Sequence, residues 1–317
     1  MHSKRLLLVT LSLLIFSTFT AFPANSLLTK PAVAPGPQAS VSIHLTLGNP
    51  SDATTSVSDK RNFLIVKPQF ALSYNNFKGG PNWVSWHLQA EDVGHVDRSD
   101  SFHPDPDLPE GFKRVVTGNY TNSGFERGHL CNSKDRTDTE DNNVATFAMT
   151  NILPQKADNN KGPWKALEMF SRKLLDQGNE LYIVAGAFGT KGTIARHTIN
   201  VPRIFWKVII ALPDGSDDVS RIDASTRAIA VCMPNQAGIR RKDWREYVTT
   251  IRNIETATGF DLLSELSTRA QNALETRRDS EATTPTRTNP CQVRVDTPSA
   301  RVNSKLRRLL YTRKIGK

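Results

Sequence analysis

Cysteine is scarce in this chain: Cys131, Cys232 and Cys291 are the only three among 317 residues. No pair of them forms a CxxC, so a structural zinc site has no support. An odd number also leaves at least one cysteine unpaired within a single chain. Cys232 lies in an apolar run, residues 228–233, which predicts a buried apolar side chain and a fold that does not depend on disulfides.

Long apolar runs are also absent after residue 16. The one such run, Leu6–Phe16, follows the basic segment His2–Arg5 and precedes small and polar residues up to Ser26. This layout predicts a secretory signal peptide over residues 1–25 and a secreted protein, extracellular or periplasmic. The alternative is a membrane anchor, but the run is shorter than the roughly 20 residues that span a bilayer. We therefore expect no stable membrane association after cleavage.

The charge balance is basic, with 41 Lys and Arg against 31 Asp and Glu, a net charge of +10. Such an excess favours polyanionic partners, either nucleic acid or an anionic membrane surface. Most of it lies at the C-terminal end, where residues 290–317 carry eight basic side chains and one acidic side chain. Two interpretations of residues 280–317 stay open: a polybasic arm that holds nucleic acid, or a solvated, disordered tail.

Between these ends, Pro, Ser, Thr and Ala dominate residues 26–60, which predicts a linker or flexible arm with one short strand at 42–45. Residues 61–279 read as the globular domain. Alternating or apolar runs predict strands at 63–66, 70–74, 83–88, 181–185, 206–211 and 228–233. Helical spacing predicts helices at 139–146, 160–178, 242–257 and 267–277. This order predicts an α+β domain with a mixed or antiparallel central sheet flanked by helices.

Among seven histidines, His129 has the most suggestive context, the segment Asn122–Leu130 with its two glycines. Glycine permits close approach of the backbone to a ligand. Arg127 supplies a permanent cation for a phosphate oxygen. A neutral imidazole can take a proton from water at physiological pH, so His129 is a candidate general base.

A second group follows about 30 residues later. Asn160, Trp164, Glu168 and Arg172 are spaced by four, which on a helix places them along one side. Asn160 offers a hard neutral oxygen of the kind that Mg²⁺ accepts while it keeps most of its waters. The alternative for Glu168 and Arg172 is an ordinary surface ion pair.

These segments resemble one family, the DNA/RNA non-specific endonucleases of the ββα-metal, or His-Me finger, group, and within it the secreted sugar-nonspecific nucleases of cyanobacteria. The resemblance runs from about Leu72 to Gly259. It is carried by Gly124–His129, Asp135–Thr137, Thr139–Asn142, Met149–Asn151, Pro154–Gln155, Asp158–Asn160, Trp164, Leu167–Glu168 and Arg172. It implies a ββα-metal finger active site and a magnesium-dependent endonuclease that cuts DNA and RNA without sequence specificity and leaves 5′-phosphate ends.

Position by position, the resemblance implies a role for each residue. His129 would activate the attacking water, and Arg98, in the segment 97–100, would stabilise the transition state. Asn160 would be the only direct protein ligand of a hydrated Mg²⁺, for which Mn²⁺ is a candidate substitute, and Glu168 would order the water shell of the metal. Arg127 and Arg172 would bind phosphate. A dedicated inhibitor protein is left open as a further partner.

Two positions depart from the family pattern. Glu126 replaces the usual Asp before the arginine, and Cys131-Asn132 replaces a more usual Ala-Pro after the histidine. Neither change removes a group that performs the chemistry, so we expect activity. Two other functions remain as alternatives: a non-catalytic nucleic-acid-binding protein, and a phosphodiesterase that acts on small nucleotides.

Overall fold

The computed structural model describes residues 42–281 and 289–292, and a six-stranded sheet forms their centre. Its strands are β1 (Phe63–Val66), β2 (Ala71–Asn75), β3 (Gly80–Leu88), β6 (Asn179–Phe188), β9 (Ile204–Pro213) and β10 (Arg227–Pro234). They lie in the order β1-β2-β3-β6-β9-β10, and every neighbouring pair is antiparallel.

Two small sheets and several short helices surround the large sheet. One small sheet pairs β4 (Glu126–His129) with β5 (Ile152–Gln155), and the other pairs β7 (Gly192–Ile194) with β8 (Ile199–Val201). The α-helices are α1 (Glu140–Ala145), α2 (Ala157–Asn159), α3 (Lys165–Leu175), α4 (Asp218–Arg221), α5 (Ile251–Thr258) and α6 (Thr268–Thr276). A π-helical turn (Asn160–Trp164) joins α2 to α3. Single 3-10 turns occupy Ile43–Leu45, Ala90–Asp92, Thr117–Tyr120, Ser133–Asp135, Met149–Asn151 and Trp244–Tyr247.

Both faces of the large sheet are covered by a hydrophobic core. Successive side chains of a strand point to opposite faces, so each strand contributes to both cores. Trp86 and Ile183 belong to a core that includes α3 and the β4–β5 hairpin. Trp83 and Val184 belong to a second core, on the other face, that includes α5 and α6. Every residue of β2 and β3 is therefore buried.

The α+β class and the predicted strands of the large sheet are confirmed, as is the helix at 267–277. Two predicted elements are wrong. Residues 43–45 form a 3-10 turn in place of the predicted strand. The predicted helix at 242–257 is broken, because Val248 pairs with Val231 of β10 and the Thr249 amide donates to the Ala230 carbonyl.

The predicted domain boundaries need correction at both ends. Leu45, Leu47 and Ala53 are buried in the second core, so residues 42–60 belong to the folded domain and not to a linker. At the other end, Glu281 pairs with Arg227 and Arg245, and Cys291 is buried in the second core. The predicted signal peptide, the linker up to residue 41 and most of the basic tail lie outside the described residues.

The expectation for the cysteines is wrong in one respect. Cys232, at the centre of β10, forms a disulfide with Cys291, which ties the described part of the C-terminal segment to the edge strand of the sheet. Cys131 is the free cysteine, and it is buried. Within residues 42–281 and 289–292, no helix has the length and apolarity that a bilayer crossing needs.

Candidate active site

The β4–β5 hairpin and α3 form a ββα unit that carries the histidine motif. His129 lies opposite Ile152, and Gly128 lies opposite Leu153, in an antiparallel pair. A Cβ on Gly128 would lie only 2.1 Å from the Oε1 atom of Gln155, so the two strands can approach this closely only with glycine at that position. The role of the glycine before His129 is therefore to allow the close pairing of β4 with β5.

The His129 imidazole is buried among aromatic rings. Its centroid lies 4.8 Å from that of Phe147, edge to face, and 5.4 Å from that of Phe102. Nε2 is buried and has no hydrogen-bond partner among the described residues. A buried polar atom without a partner is costly unless a substrate, water or ion uses it. This nitrogen is therefore the available base.

The surroundings keep the imidazole neutral. Burial lowers the pKa of His129 to about 3, and the positive charges of Arg98 and Arg127 add to this effect, while a hydrogen bond to the backbone of Arg127 opposes it. The two arginines disfavour a third positive charge between them. At neutral pH the ring can accept a proton but does not hold one.

Arg98 and Arg127 are both held against aromatic rings. The guanidinium carbon of Arg127 lies 4.1 Å from the centroid of Phe102, and that of Arg98 lies 4.8 Å from the centroid of Phe147. Arg98 also donates to Ser133 Oγ, at 2.8 Å, and to Asp100. Stacking on a ring leaves the edge of a guanidinium free for a phosphate.

A polar cleft of about 440 Å³ opens beside these arginines. Its walls bring together three of the predicted site residues, Arg98, Arg127 and Asn160, with Glu126 and Lys161. The full lining is Arg98, Asp100, Phe102, Thr117, Tyr120, Thr121, Phe125, Glu126, Arg127, Asn160 and Lys161. His129 does not line the cleft, but the charges of the two arginines that do act on its imidazole.

Asn160 reaches the cleft through the irregular turn before α3. Gly162 has φ −108° and ψ −120°, outside the helical region, so the predicted continuous stripe from Asn160 to Arg172 is broken at this residue. The break turns Asn160 towards β4, where its Nδ2 donates to Glu126 Oε2 at 2.8 Å.

The donor set at Asn160 fits a hydrated magnesium ion. Because Nδ2 is taken by Glu126, the amide Oδ1 is left as the acceptor, and it has no hydrogen-bond partner among the described residues. A neutral amide oxygen beside a carboxylate, in a polar cleft, is the type of ligand that Mg²⁺ accepts while it keeps most of its waters. The neighbouring residues Gln155, at both side-chain amide atoms, and Asn159, at Oδ1, also have buried polar atoms without a hydrogen-bond partner among the described residues.

Glu168 lies on the side of α3 that faces the large sheet. It is buried and lies 3.7 Å, Oε1 to Nζ, from the equally buried Lys207 of β9. Burial raises the pKa of Glu168 and lowers the pKa of Lys207, and the attraction between the two opposite charges works against both shifts. A side-chain hydrogen bond with Asn132 links Glu168 to the loop that follows His129. Glu168 does not line the cleft.

Arg172 is also outside the cleft. Its Nη1 donates to Asp135 Oδ1 at 2.7 Å, and Asp135 in turn accepts from the indole Nε1 of Trp86 at 3.3 Å. Arg172 lines a separate groove along α3. The simple surface pair between Glu168 and Arg172 does not form, since each has another partner.

Three residues that matter here escaped the sequence analysis. Phe102 touches both Arg127 and His129 but comes from a proline-rich loop without periodicity. Tyr120 lines the cleft and has a buried hydroxyl without a partner. Lys207 interrupts the apolar run of β9. A lysine inside an otherwise apolar strand is the one feature of the sequence that could have pointed to it.

Two other groups of side chains have the spacing of metal ligands, His87 with Glu180 and Asp218, and a cluster of three acidic residues, Glu255, Asp261 and Glu275. Arg221 pairs with Glu180 and Asp218 of the first group, and Arg252 pairs with Glu255 and Glu275 of the second. Each arginine offsets only part of this negative charge, but no member of either group lines the polar cleft. Asn160 therefore remains the candidate metal ligand.

Comparison with known families gives one consistent result. The profile of the DNA/RNA non-specific endonuclease family matches residues 48–269. The chain is 44% identical to a nuclease of Nostoc sp. over 241 residues, which covers 76% of this chain and 88% of that protein. It is 30% identical to the mitochondrial nuclease EXOG of Mus musculus over 207 residues, 60% of this chain and 54% of the relative.

A solved structure has a similar fold. The match is to a crystal structure of an EndoG/EndoGI complex that addresses the mechanism of EndoG inhibition. It has a TM-score of 0.60 and 23% identity, and it covers 71% of this chain and 91% of that chain. This likeness supports the α+β fold with its ββα finger.

Proposed function

The chain belongs to the DNA/RNA non-specific endonuclease family and is a hydrolase that acts on nucleic acid, and we propose that it is a magnesium-dependent endonuclease that cuts both DNA and RNA. One observation carries the proposal. The buried, neutral imidazole of His129, whose Nε2 has no partner among the described residues, is next to Arg98 and Arg127, which line the same cleft as Asn160.

In this proposal His129 Nε2 takes a proton from the water that attacks phosphorus. The ring is neutral because burial and two guanidinium groups disfavour its charged form. Positive charge fixed in place before the reaction stabilises the charge that develops on the phosphoryl oxygens. Arg98 and Arg127 would supply it, since each is stacked on a phenylalanine ring without a substrate and Arg98 is also hydrogen-bonded to Ser133.

Asn160 would hold the magnesium ion through Oδ1, and Glu126 would fix the orientation of the amide. When bound there, Mg²⁺ supplies charge stabilisation for the departing 3′ oxygen, which leaves a 5′-phosphate on the other product. Glu168 would order the water shell of the ion, and its hydrogen bond with Asn132 ties it to the loop that follows His129. Mn²⁺ has the same preference for oxygen ligands and is a candidate substitute.

Lack of sequence specificity follows from the type of contact. Arg98, Arg127 and Arg172 are phosphate binders, and phosphate contacts position a nucleic acid without reading its bases. Export from the cell remains a proposal that rests on the N-terminal sequence. A protein inhibitor is a further proposal, supported by the likeness of the fold to that of EndoG in its complex with EndoGI.

The test is cleavage by the purified protein of single- and double-stranded DNA and RNA, with Mg²⁺, with Mn²⁺ and with EDTA. We expect cleavage of all four substrates with metal and none with EDTA. His129→Ala should lower turnover by at least about 100-fold, since general-base catalysis contributes about 10²–10⁴-fold. His197→Ala is the matched control, because His197 is exposed.

Two results would contradict the proposal. The first is equal turnover of wild type and a folded His129→Ala variant. The second is the absence of cleavage of any long nucleic acid while small nucleotides are hydrolysed, which would point to a phosphodiesterase.

A further inference from the structure

A groove of about 430 Å³ runs along the outer side of α3, separate from the catalytic cleft. We call it the lysine groove, after Lys134, Lys165 and Lys173. Its remaining lining residues are Met169, Arg172 and Asp176. The four cations face a single acidic side chain within the groove, so its lining carries a net positive charge.

The three lysines are not balanced by the protein itself. None of them forms an ion pair within 4.0 Å with any residue in the described ranges. Other lysines of the described ranges also lack a carboxylate partner, so what sets these three apart is that they line one groove. Unbalanced positive side chains that converge on one groove attract an anionic partner.

Helix stability does not account for Lys165. It is the first residue of α3, and the positive end of the helix dipole disfavours a cation at this end. Lys173, in the last turn, is favoured by the dipole and would not support the argument alone. Because Lys165 is placed against the dipole, its position calls for another explanation, which an anionic ligand supplies.

The lysine groove connects to the catalytic cleft at two points. Ser133, the neighbour of Lys134, accepts a hydrogen bond from Arg98, which lines the cleft. Lys161 lines the cleft and lies one turn before Lys165 in the segment that leads into α3. Residues that line the groove are therefore direct neighbours of residues that line or support the cleft.

The spacing of the lysines fits a nucleic-acid strand. Lys165 and Lys173 are eight residues apart on one helix, so their Cα atoms are about 12 Å apart at about 1.5 Å per residue. This equals the axial rise of three to four nucleotides at about 3.4 Å each. We propose that the lysine groove binds the sugar-phosphate backbone of the substrate over a length of three to four nucleotides, outside the catalytic cleft. The inference rests on the proposed function, which it extends from one phosphate to a length of strand.

The experiment measures binding of a 30-base-pair DNA duplex across a range of KCl concentrations, in a His129→Ala background so that the duplex stays intact. Lys165→Ala/Lys173→Ala is compared with Lys113→Ala/Arg269→Ala, a control that removes the same charge from exposed residues that line neither the cleft nor the groove. Arg269, in the first turn of α6, matches the helical position of Lys165.

Each lost phosphate contact lowers the slope of log affinity against log salt by about 0.9, so the groove variant should lose about two units of slope. The control should lose less than about half a unit. Cleavage is measured with the same substitutions in a protein that keeps His129. The groove substitutions should lower cleavage of the duplex about tenfold more than cleavage of a tetranucleotide. The control substitutions should affect the two substrates equally. Equal slopes for the two variants would overturn the groove proposal.

The two proposals fail in different ways. If wild type cleaves nucleic acid but the groove variant keeps its salt slope, only the groove assignment is wrong. If wild type cleaves nothing while the salt slopes differ as expected, the groove stands as a nucleic-acid-binding surface and the catalytic proposal is wrong. Melting temperatures within a few degrees of wild type show that both variants are folded.

Discussion

At the scale of single residues, the chemistry depends on what surrounds an ordinary histidine. The pKa of His129 falls to about 3 because Phe102 and Phe147 exclude water and two arginines repel an added proton. The same arginines bind phosphate in the proposed function. One arrangement therefore keeps the base ready and attracts the substrate.

A second residue, Lys207, has a role that the structure alone reveals. Its ammonium lies 4.3 Å from the ring centroid of Trp164 and 5.3 Å from that of Trp86, and it is the cation next to Glu168. Removing one partner of a buried ion pair leaves the other charge without compensation in a medium of low polarity. Lys207 thus allows the carboxylate of Glu168 to be buried between α3 and the large sheet.

We predict that Lys207→Met lowers the free energy of unfolding by about 3–5 kcal/mol, because Glu168 is left buried and unpaired. Adding Glu168→Gln should recover most of that stability, since the uncompensated charge is gone. Denaturant unfolding measures both variants. Lys242→Met, which breaks an exposed pair with Glu246, is the control and should cost no more than about 1 kcal/mol.

If the single and double variants were equally unstable, the coupling between Lys207 and Glu168 would be refuted. The loss would then come from the change in packing around the two tryptophans.

At the scale of elements, the site is built by two irregularities. The β4–β5 hairpin needs Gly128, whose missing Cβ makes room for Gln155. The turn before α3 contains Gly162, where the chain leaves the helical region and directs Asn160 towards Glu126. A regular helix from Asn160 to Arg172 would hold Asn160 on the face of α3.

The hairpin leads to a prediction at Gly128. Gly128→Ala should lower the free energy of unfolding by about 1–3 kcal/mol, because the added methyl overlaps Gln155 and the strands must separate. Activity should fall as well, since His129 is the next residue. Thermal unfolding followed by circular dichroism, with a nuclease assay, measures both effects.

Gly118→Ala is the control for this substitution. Gly118 has no heavy atom within 4 Å of an added Cβ and its φ is not positive. A melting temperature of Gly128→Ala equal to that of Gly118→Ala would show that the hairpin tolerates separation and that the close approach has no energetic weight.

At the scale of the whole molecule, the two faces of the large sheet have different tasks. One face supports the ββα finger, with Trp86, Trp164 and the Lys207–Glu168 pair beneath it. The other face is closed by α5, α6 and the segment that contains His44. Each face thus buries a histidine, and both contribute to the response of the fold to pH.

Burial lowers the pKa of His44 to about 4 and that of His129 to about 3, against 6.5 in the unfolded chain. Below pH 6.5 the unfolded state binds these protons and the folded state does not, so the stability from the two groups is complete above pH 6.5 and is lost as the pH falls towards 4. Each group contributes about 1.4 kcal/mol per pH unit in that window.

We therefore predict that the free energy of unfolding depends less steeply on pH between 6 and 4.5 in His129→Gln than in wild type. The expected difference in slope is about 1 kcal/mol per pH unit, measured by urea unfolding at several pH values. The exposed His197→Gln is the control. Parallel curves for wild type and His129→Gln would show that the imidazole is not held neutral by the fold.

The sequence by itself determined the α+β class, the strands of the large sheet and the family. These depend on local periodicity and on the short motif around His129, which are written in consecutive residues. It did not predict that residues 42–60 are packed, that Cys232 is paired with Cys291, or that the helix at 242–257 breaks at Val248. Each of those depends on a partner distant along the chain.

The tertiary structure decided the state of the site. The orientation of Asn160 by Glu126 and the pairing of Glu168 with Lys207 arise between segments that are 30 or more residues apart. The fall in the pKa of His129 combines its neighbour Arg127 with burial and with Arg98, which come from other parts of the chain. Burial, electrostatic interactions and hydrogen bonds act through space, so a pattern of consecutive residues does not contain them. Residue types are fixed along the chain, but their charges and directions depend on the neighbours that folding brings to them.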